Sequence, residues 1–176
     1  MAFADPKSNI EQLGKIEGMK VADFGAGIGS YSIPLAKKVG DSGRVYAIEV
    51  QKDFLTNIST SALQENLTNV EVLWGDIEIL GSCGLADETI DIVVIANVFF
   101  SVEDKKGVIM EASRVLTSKG KILFVDWKDS YGGVGPQPEM VVSPEKTRDL
   151  FEQEGFFLEK AFSAGDQHYG FVFIKQ

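Results

Sequence analysis

A run of glycines and the acids placed after it carry most of the chemistry this sequence offers. In Lys20 to Ser30, K-V-A-D-F-G-A-G-I-G-S, an apolar run holding Asp23 ends in Gly25, Gly27 and Gly29. Glycine tolerates positive φ and has no Cβ, so a G-x-G-x-G turn lets the backbone lie against a ligand under a helix N-terminus. Such turns also occur where a strand and a helix merely pack closely, so the residues after the turn decide between the two. Glu49 ends the next apolar run, about 20 residues beyond Gly29, where a carboxylate can accept hydrogen bonds from both hydroxyls of an adenosine ribose. The same charge repels a ribose 2′-phosphate. Asp76, in Gly75-Asp76 after the third run, can accept from an adenine amino group or cap the segment from Ile77. Asp23, inside an apolar strand, needs a partner: either it helps to fix the ligand's amino group and the glycine loop, or it is a satisfied structural acid.

The elements that must position these residues follow from periodicity. A strand is expected in the apolar run before Gly25, and further strands at Arg44 to Val50, Val70 to Trp74, Ile90 to Ala96 and Gly120 to Asp126, with helices between them. The first helix carries Tyr31, Leu35, Ala36 and Val39 on one face; the second runs from Gln51 to Glu65, and another from Ser101 to Leu116. Ile90 to Ala96 is almost wholly apolar, as a central strand buried on both faces requires. Asp129 to Val142 holds three glycines and two prolines without periodicity and reads as a long loop. Ser143-Pro144-Glu145 then starts a helix to Glu154, and Phe156 to Ala161 and Tyr169 to Lys175 form a hairpin-like ending. Alternating strands and helices argue an α/β, doubly wound, mostly parallel seven-stranded sheet of Rossmann-like type with an antiparallel last strand. Residues 1–19 are a short arm with one helical candidate at Ile10 to Leu13, and residues 20–176 form one domain.

Composition narrows the partners. The chain has 176 residues, 44% of them hydrophobic, enough for one sizeable core. A net charge of −9 without a Lys/Arg cluster disfavours nucleic acid and anionic membrane. The most apolar run, Ile90 to Phe100, is too short to span a bilayer, and no secretory signal is read at the N-terminus. One cysteine, Cys83, and one histidine, His168, cannot supply a usual transition-metal site, so no metal is expected. The cytoplasm is the expected location. The oligomeric state stays open, a homodimer included.

The order of these features resembles the class I S-adenosylmethionine-dependent methyltransferases over Val21 to Lys175. D-F-G-A-G-I-G at Asp23 to Gly29 is similar to that family's first motif, and Glu49 and Gly75-Asp76 fall at its next two cofactor stations. D-I-V-V-I-A-N, Asp91 to Asn97, is similar to the fourth strand. Glu111 to Trp127 is similar to the helix and strand after it, with Lys119-Gly120-Lys121 where the family often has two glycines. In particular it resembles the group of ubiquinone and menaquinone biosynthesis, whose members methylate small molecules. The resemblance implies S-adenosylmethionine as donor, held by Asp23, Gly25, Gly27, Gly29, Glu49 and Asp76 with Asn97 near its methionine end, and a small-molecule acceptor.

Methyl transfer from a sulfonium needs in-line approach and desolvation, and a base only if the acceptor arrives protonated. No fixed catalytic residue is therefore demanded; Asp126 and His168 are the candidates, with His168 otherwise an exposed loop residue. Phe99, Trp127 and Tyr131 are expected to line the acceptor pocket under a mobile lid formed by Tyr131 to Val142. A catalytically inactive donor-binding module is the first rival reading. A nicotinamide oxidoreductase is the second, disfavoured by Ser30 where G-x-G-x-x-G has its third glycine.

Overall fold

The structure, a computed structural model, describes residues 4–176; the first three residues of the N-terminal arm lie outside them. Asp5 caps a short helix α1, Pro6–Ile10, and a single 3-10 turn, Glu11–Leu13, follows it. The strands and helices then alternate: β1 Lys20–Phe24, α2 Ser32–Val39, β2 Arg44–Glu49, α3 Lys52–Gln64, β3 Val70–Trp74, β4 Ile90–Ala96 and α4 Lys105–Val115. The chain continues with β5 Leu116–Trp127, α5 Pro144–Gln153, β6 Phe156–Ser163 and β7 His168–Lys175.

All seven strands join one sheet in the order β3-β2-β1-β4-β5-β7-β6. β1 to β5 pair in parallel, and only β7 is reversed. The hairpin places β7 between β5 and β6, so β6 and β3 are the sheet's edges. This order reverses direction between β1 and β4, and ligands collect outside the carboxyl ends of the strands at such a point.

Period-two burial divides the core between the two faces of the sheet. One face sets Ala22, Phe24, Val93, Ile95, Ile122 and Phe124 against α4 and α5. There Phe151 of α5 lies nearly parallel to Phe173, with ring centres 4.5 Å apart, and each buried ring of this kind contributes about 1.5–3 kcal/mol. The opposite face sets Val21, Val45, Val94, Leu123 and Val172 against α2 and the N-terminal residues Ile10, Leu13 and Ile16. The N-terminal segment is thus part of the core, and Asn9 of α1 donates to the Tyr31 hydroxyl at 2.9 Å.

Most element ends fall within one or two residues of the sequence expectation, the helix expected at Ile10 to Leu13 instead covers Pro6–Ile10 with a 3-10 turn after it, and two starts move further. The fourth helix begins after Asp104, whose side chain accepts from the Gly107 amide at 2.9 Å, whereas the Ser101 hydroxyl donates to the Val98 carbonyl. β5 starts at Leu116, where the chain leaves α4 and pairs with Ile90 before a register shift, rather than at Gly120. Lys119 adopts a left-handed backbone at φ 63.

Candidate functional site

The carboxyl ends of β1, β2, β3 and β4 enclose a cavity of about 210 Å³. Gly25, Glu49, Val50, Gln51, Asp76 and Ile77 line it, with Val98, Ser101 and Val102 closing its β4 side. The glycine loop separates into parts with different tasks. A Cβ on Gly25 would lie 2.6 Å from Val98 Cγ2, so this glycine lets the loop approach the β4 side, whereas a Cβ on Gly27 would meet nothing within 4 Å. A Cβ on Gly29 would lie 3.0 Å from Ile58 of α3, and one on Gly75, which also lines the cavity, would meet Ser82 and Cys83 at 2.8 Å. Gly27 is the glycine that leaves room beside the backbone.

Glu49 ties this loop down. Its Oε2 accepts from the Gly27 amide at 3.0 Å, and its Oε1 accepts from the Val50 and Gln51 amides at 2.8 and 3.0 Å. A carboxylate offers about four lone-pair positions, so three amides leave one. One ribose hydroxyl can join this arrangement as it stands; a second must exchange with an amide. Asp76 lines the same cavity while its Oδ1 accepts from the Glu78 amide at 2.9 Å, so it also caps the turn after β3.

Asp23 is buried and accepts from the Ser32 hydroxyl at 2.6 Å, which ties the end of β1 to the start of α2. Burial pushes its carboxyl up to about 6; the nearby Glu49 charge adds to this, and the Ser32 bond opposes it. Asp23 does not line the cavity, and its contacts are those of a satisfied structural acid. Asn97, exposed at the end of β4, has φ 56 and donates its amide to the Val125 carbonyl at 2.9 Å. Asparagine is among the few side chains that adopt this conformation readily.

The acceptor candidates divide between the faces of the sheet. Phe99 is wholly buried among Phe124 and Phe151, with ring centres 5.2 and 5.8 Å away, so it belongs to the core and not to an acceptor wall. Asp126, 1% exposed, accepts from the Phe100 amide and the Trp127 amide, both at 2.9 Å. Burial pushes its carboxyl up to about 7, against those two bonds, which favour the charged form. Its geometry is that of a clasp between the β4 end and the β5 end. Trp127 lies half-buried on the opposite face, with the Tyr131 ring 6.3 Å away.

His168 is the largest departure from expectation. It is the first residue of β7, it is 1% exposed, and its ring centre lies 4.2 Å from that of Trp127. The sequence points to an exposed loop because the turn residues Ala164 to Gln167 precede it; antiparallel pairing of β7 with β5 draws it opposite Trp127 instead.

Cavity-lining residues not singled out from the sequence include Val50, Gln51, Ile77, Val98 and Val102. Val50 and Ile77 each follow a recognised acid directly, and an apolar residue just past a strand end is the signal that could have found them. Among the described residues no group of three or more His, Cys, Asp or Glu could hold a metal ion.

A cavity with an anchored carboxylate on one wall, apolar Val50, Ile77 and Val102 around it, and an unobstructed Gly27 fits the adenosine part of S-adenosylmethionine. Comparison with known proteins agrees. Residues 15–156 match the methyltransferase-domain family, and the chain belongs to it. A crystal structure of a SAM-dependent methyltransferase from Aquifex aeolicus superposes with a TM-score of 0.88 at 30% identity, over 98% of this chain and 90% of that one. Homo sapiens arsenite methyltransferase is 33% identical over 118 residues, which make up 63% of this chain and 31% of that protein. A ubiquinone/menaquinone biosynthesis C-methyltransferase from Shewanella sp. (strain W3-18-1) is 28% identical over 147 residues, 82% of this chain and 53% of that protein. The chain thus spans about a third to a half of the length of these curated relatives.

Proposed function

We propose that this protein transfers the methyl group of S-adenosylmethionine to a small-molecule acceptor by direct displacement. The observation that carries this reading is Glu49, held by three amides at the mouth of a cavity whose glycine loop is open at Gly27. Glu49, Gly25, Gly27 and Asp76, with the apolar side chains Val50 and Ile77, would hold the donor. Bound there, the donor supplies an electrophilic methyl group. The chain's own part is to fix that methyl at the β4 end, to keep water away from it and to orient the acceptor. Trp127 and Tyr131 face the neighbouring β5 end and would form the acceptor wall.

Arsenite is a poor candidate for that acceptor. Cys83 is the chain's one cysteine, it is buried, and burial together with its bond to Glu111 pushes its thiol up to about 11. A carbon, nitrogen or oxygen acceptor suits the aromatic wall better. The acidic surface supports a small-molecule partner rather than nucleic acid. No helix among the described residues is long and apolar enough to cross a membrane, and we place the activity in the cytoplasm.

The test is to incubate the protein with S-adenosylmethionine and fractionated metabolite extract and to follow S-adenosylhomocysteine release. Release that depends on one fraction and is lost in Glu49→Ala supports the reading. Donor binding without release from any fraction would favour an inactive binding module.

A further inference from the structure

Residues 75–89 join β3 to β4 without a helix or a strand, and Gly75, Asp76, Ile77 and Glu78 at their start line the cavity. A segment with no ladder of its own takes its shape from the partners that hold its polar groups. Two direct contacts tie this wall to the turn that follows. The Asp76 amide donates to the Ser82 hydroxyl at 3.0 Å, and a Cβ on Gly75 would lie 2.8 Å from Cys83 Cα. Whatever fixes Ser82 and Cys83 therefore fixes the wall.

A buried ion pair on α4 does so. Glu111 is wholly buried, and its Oε1 accepts from the Cys83 thiol at 2.7 Å and from Arg114 Nη2 at 2.8 Å. Its Oε2 accepts from the Gly81 amide and from Arg114 Nε, both at 2.8 Å. These bonds fill the roughly four lone-pair positions of a carboxylate, so Glu111 serves the turn and no ligand. Arg114 also donates to the Leu85 carbonyl at 2.8 Å and to the Asp87 carboxylate at 2.5 Å, further along the same segment. Burial opposes the charge on Glu111, but the bonds from Arg114, Cys83 and Gly81 outweigh it and hold its carboxyl below the ordinary value.

Stability alone is a poor reason for this pair. Taking two charges out of water is costly, and apolar residues of similar volume at such a place are often as stable or more so. Val108, Ala112 and Val115 of the same helix are apolar and buried in the core that also holds Cys83. What the ion pair adds is direction: it fixes particular atoms of the turn, which an apolar contact does not. Direction matters at Asp76, whose Oδ1 is taken by the Glu78 amide at 2.9 Å while its Oδ2 has no partner among the described residues.

We propose that Glu111 and Arg114 are positioning residues of the donor site: through the turn at 81–83 they hold Asp76 where it accepts from the 6-amino group of adenine, and so set the site's preference for that base. This inference rests on the methyl-transfer reading for the identity of the donor.

The test compares two ligands by calorimetry on the full chain: S-adenosylhomocysteine, and its analogue in which purine without the 6-amino group replaces adenine. The wild-type protein should bind the first about tenfold more tightly or better. In the double variant Glu111→Leu with Arg114→Met, which keeps the buried volume, S-adenosylhomocysteine should weaken about tenfold while the analogue changes less than about twofold. Glu111→Gln, which turns an NH₂ towards hydrogen-bond donors, should move the ratio the same way by about threefold. Partial unfolding lowers the number of sites per chain and leaves the ratio of the two affinities alone, so a merely structural role would not move it. A folded double variant with the wild-type ratio would overturn the inference, and so would a wild-type protein that binds both ligands alike. If the double variant does not fold, the ratio in Glu111→Gln decides by the same criterion. A wild-type protein that binds neither ligand would instead overturn the donor reading.

Discussion

Replacing Glu49 by alanine removes the acceptor of three amides at once: Gly27, Val50 and Gln51, at 3.0, 2.8 and 3.0 Å. A hydrogen bond to a charged group contributes about 1.5–3 kcal/mol when its loss leaves a dry, unpaired amide. Here Val50 and Gln51 are at the surface and Gly27 borders open space, so water reaches each amide in the variant. A net value near 1 kcal/mol per bond applies instead, giving a loss of about 3 kcal/mol. For a domain of this size that corresponds to a fall of about 6–12 °C in Tm, measurable by circular dichroism. Binding suffers separately, because the ribose loses its charged acceptor. S-adenosylhomocysteine affinity should fall by about 1.5–3 kcal/mol, roughly ten- to a hundredfold, in calorimetry on the folded variant. Glu49→Gln should lie between the two, since it keeps one oxygen and turns an NH₂ towards an amide. Unchanged affinity in a folded Glu49→Ala protein would refute the ribose assignment. An unchanged Tm would refute the loop-anchoring role.

Asp23 and Asp126 hold their protons more tightly folded than unfolded, at about 6 and about 7 against an ordinary 3.8. The stability they contribute is therefore full below about pH 4 and is lost as pH rises through those values, by up to about 1.4 kcal/mol per pH unit for each proton. Urea midpoints from pH 4 to 8 should show the decline, Asp23→Asn should flatten its lower half, and a slope indifferent to this substitution would count against the assignment. Trp127→Ala and Tyr131→Ala should lower turnover or raise the acceptor KM while leaving donor affinity within about 0.5 kcal/mol, and loss of donor binding in both, with the fold intact, would move these residues under the donor. Gly27→Val should block S-adenosylhomocysteine in calorimetry while Gly132→Ala should not; equal affinities in the two variants would remove Gly27 from the donor site. Turnover should survive exhaustive chelation, and an activity lost to chelator and restored by a divalent ion would show that carboxylates such as Asp126 and Asp129 hold a metal after all.

The residues proposed for the donor side are readable in the sequence because their signals are local. A glycine turn, an acid at a strand end and an apolar run each act within a few residues, and β3 and β4 begin and end where the pattern places them. The division of labour among Gly25, Gly27 and Gly29 is not, because it depends on Val98 and Ile58, which arrive from elsewhere in the chain. The acceptor side depends on pairing across the sheet. Phe99 and Trp127 look alike as aromatics near strand ends, but a β4–α4 turn sends one into the core while the other faces out at the end of β5. His168 adjoins a run of turn residues, and only the insertion of β7 beside β5 brings it under Trp127. The start of α4 escapes the pattern because Ser101 and Asp104 are both good caps, and the Gly107 amide makes the choice.

Calorimetric titration of the full chain with S-adenosylhomocysteine, and in parallel with NAD and NADP, tests the central claim most directly. A cavity holding Glu49, Val50 and Asp76 beside an open Gly27 should bind one S-adenosylhomocysteine per chain and neither nicotinamide cofactor. Binding of NAD in its place, or no binding of S-adenosylhomocysteine by the folded protein, would contradict it.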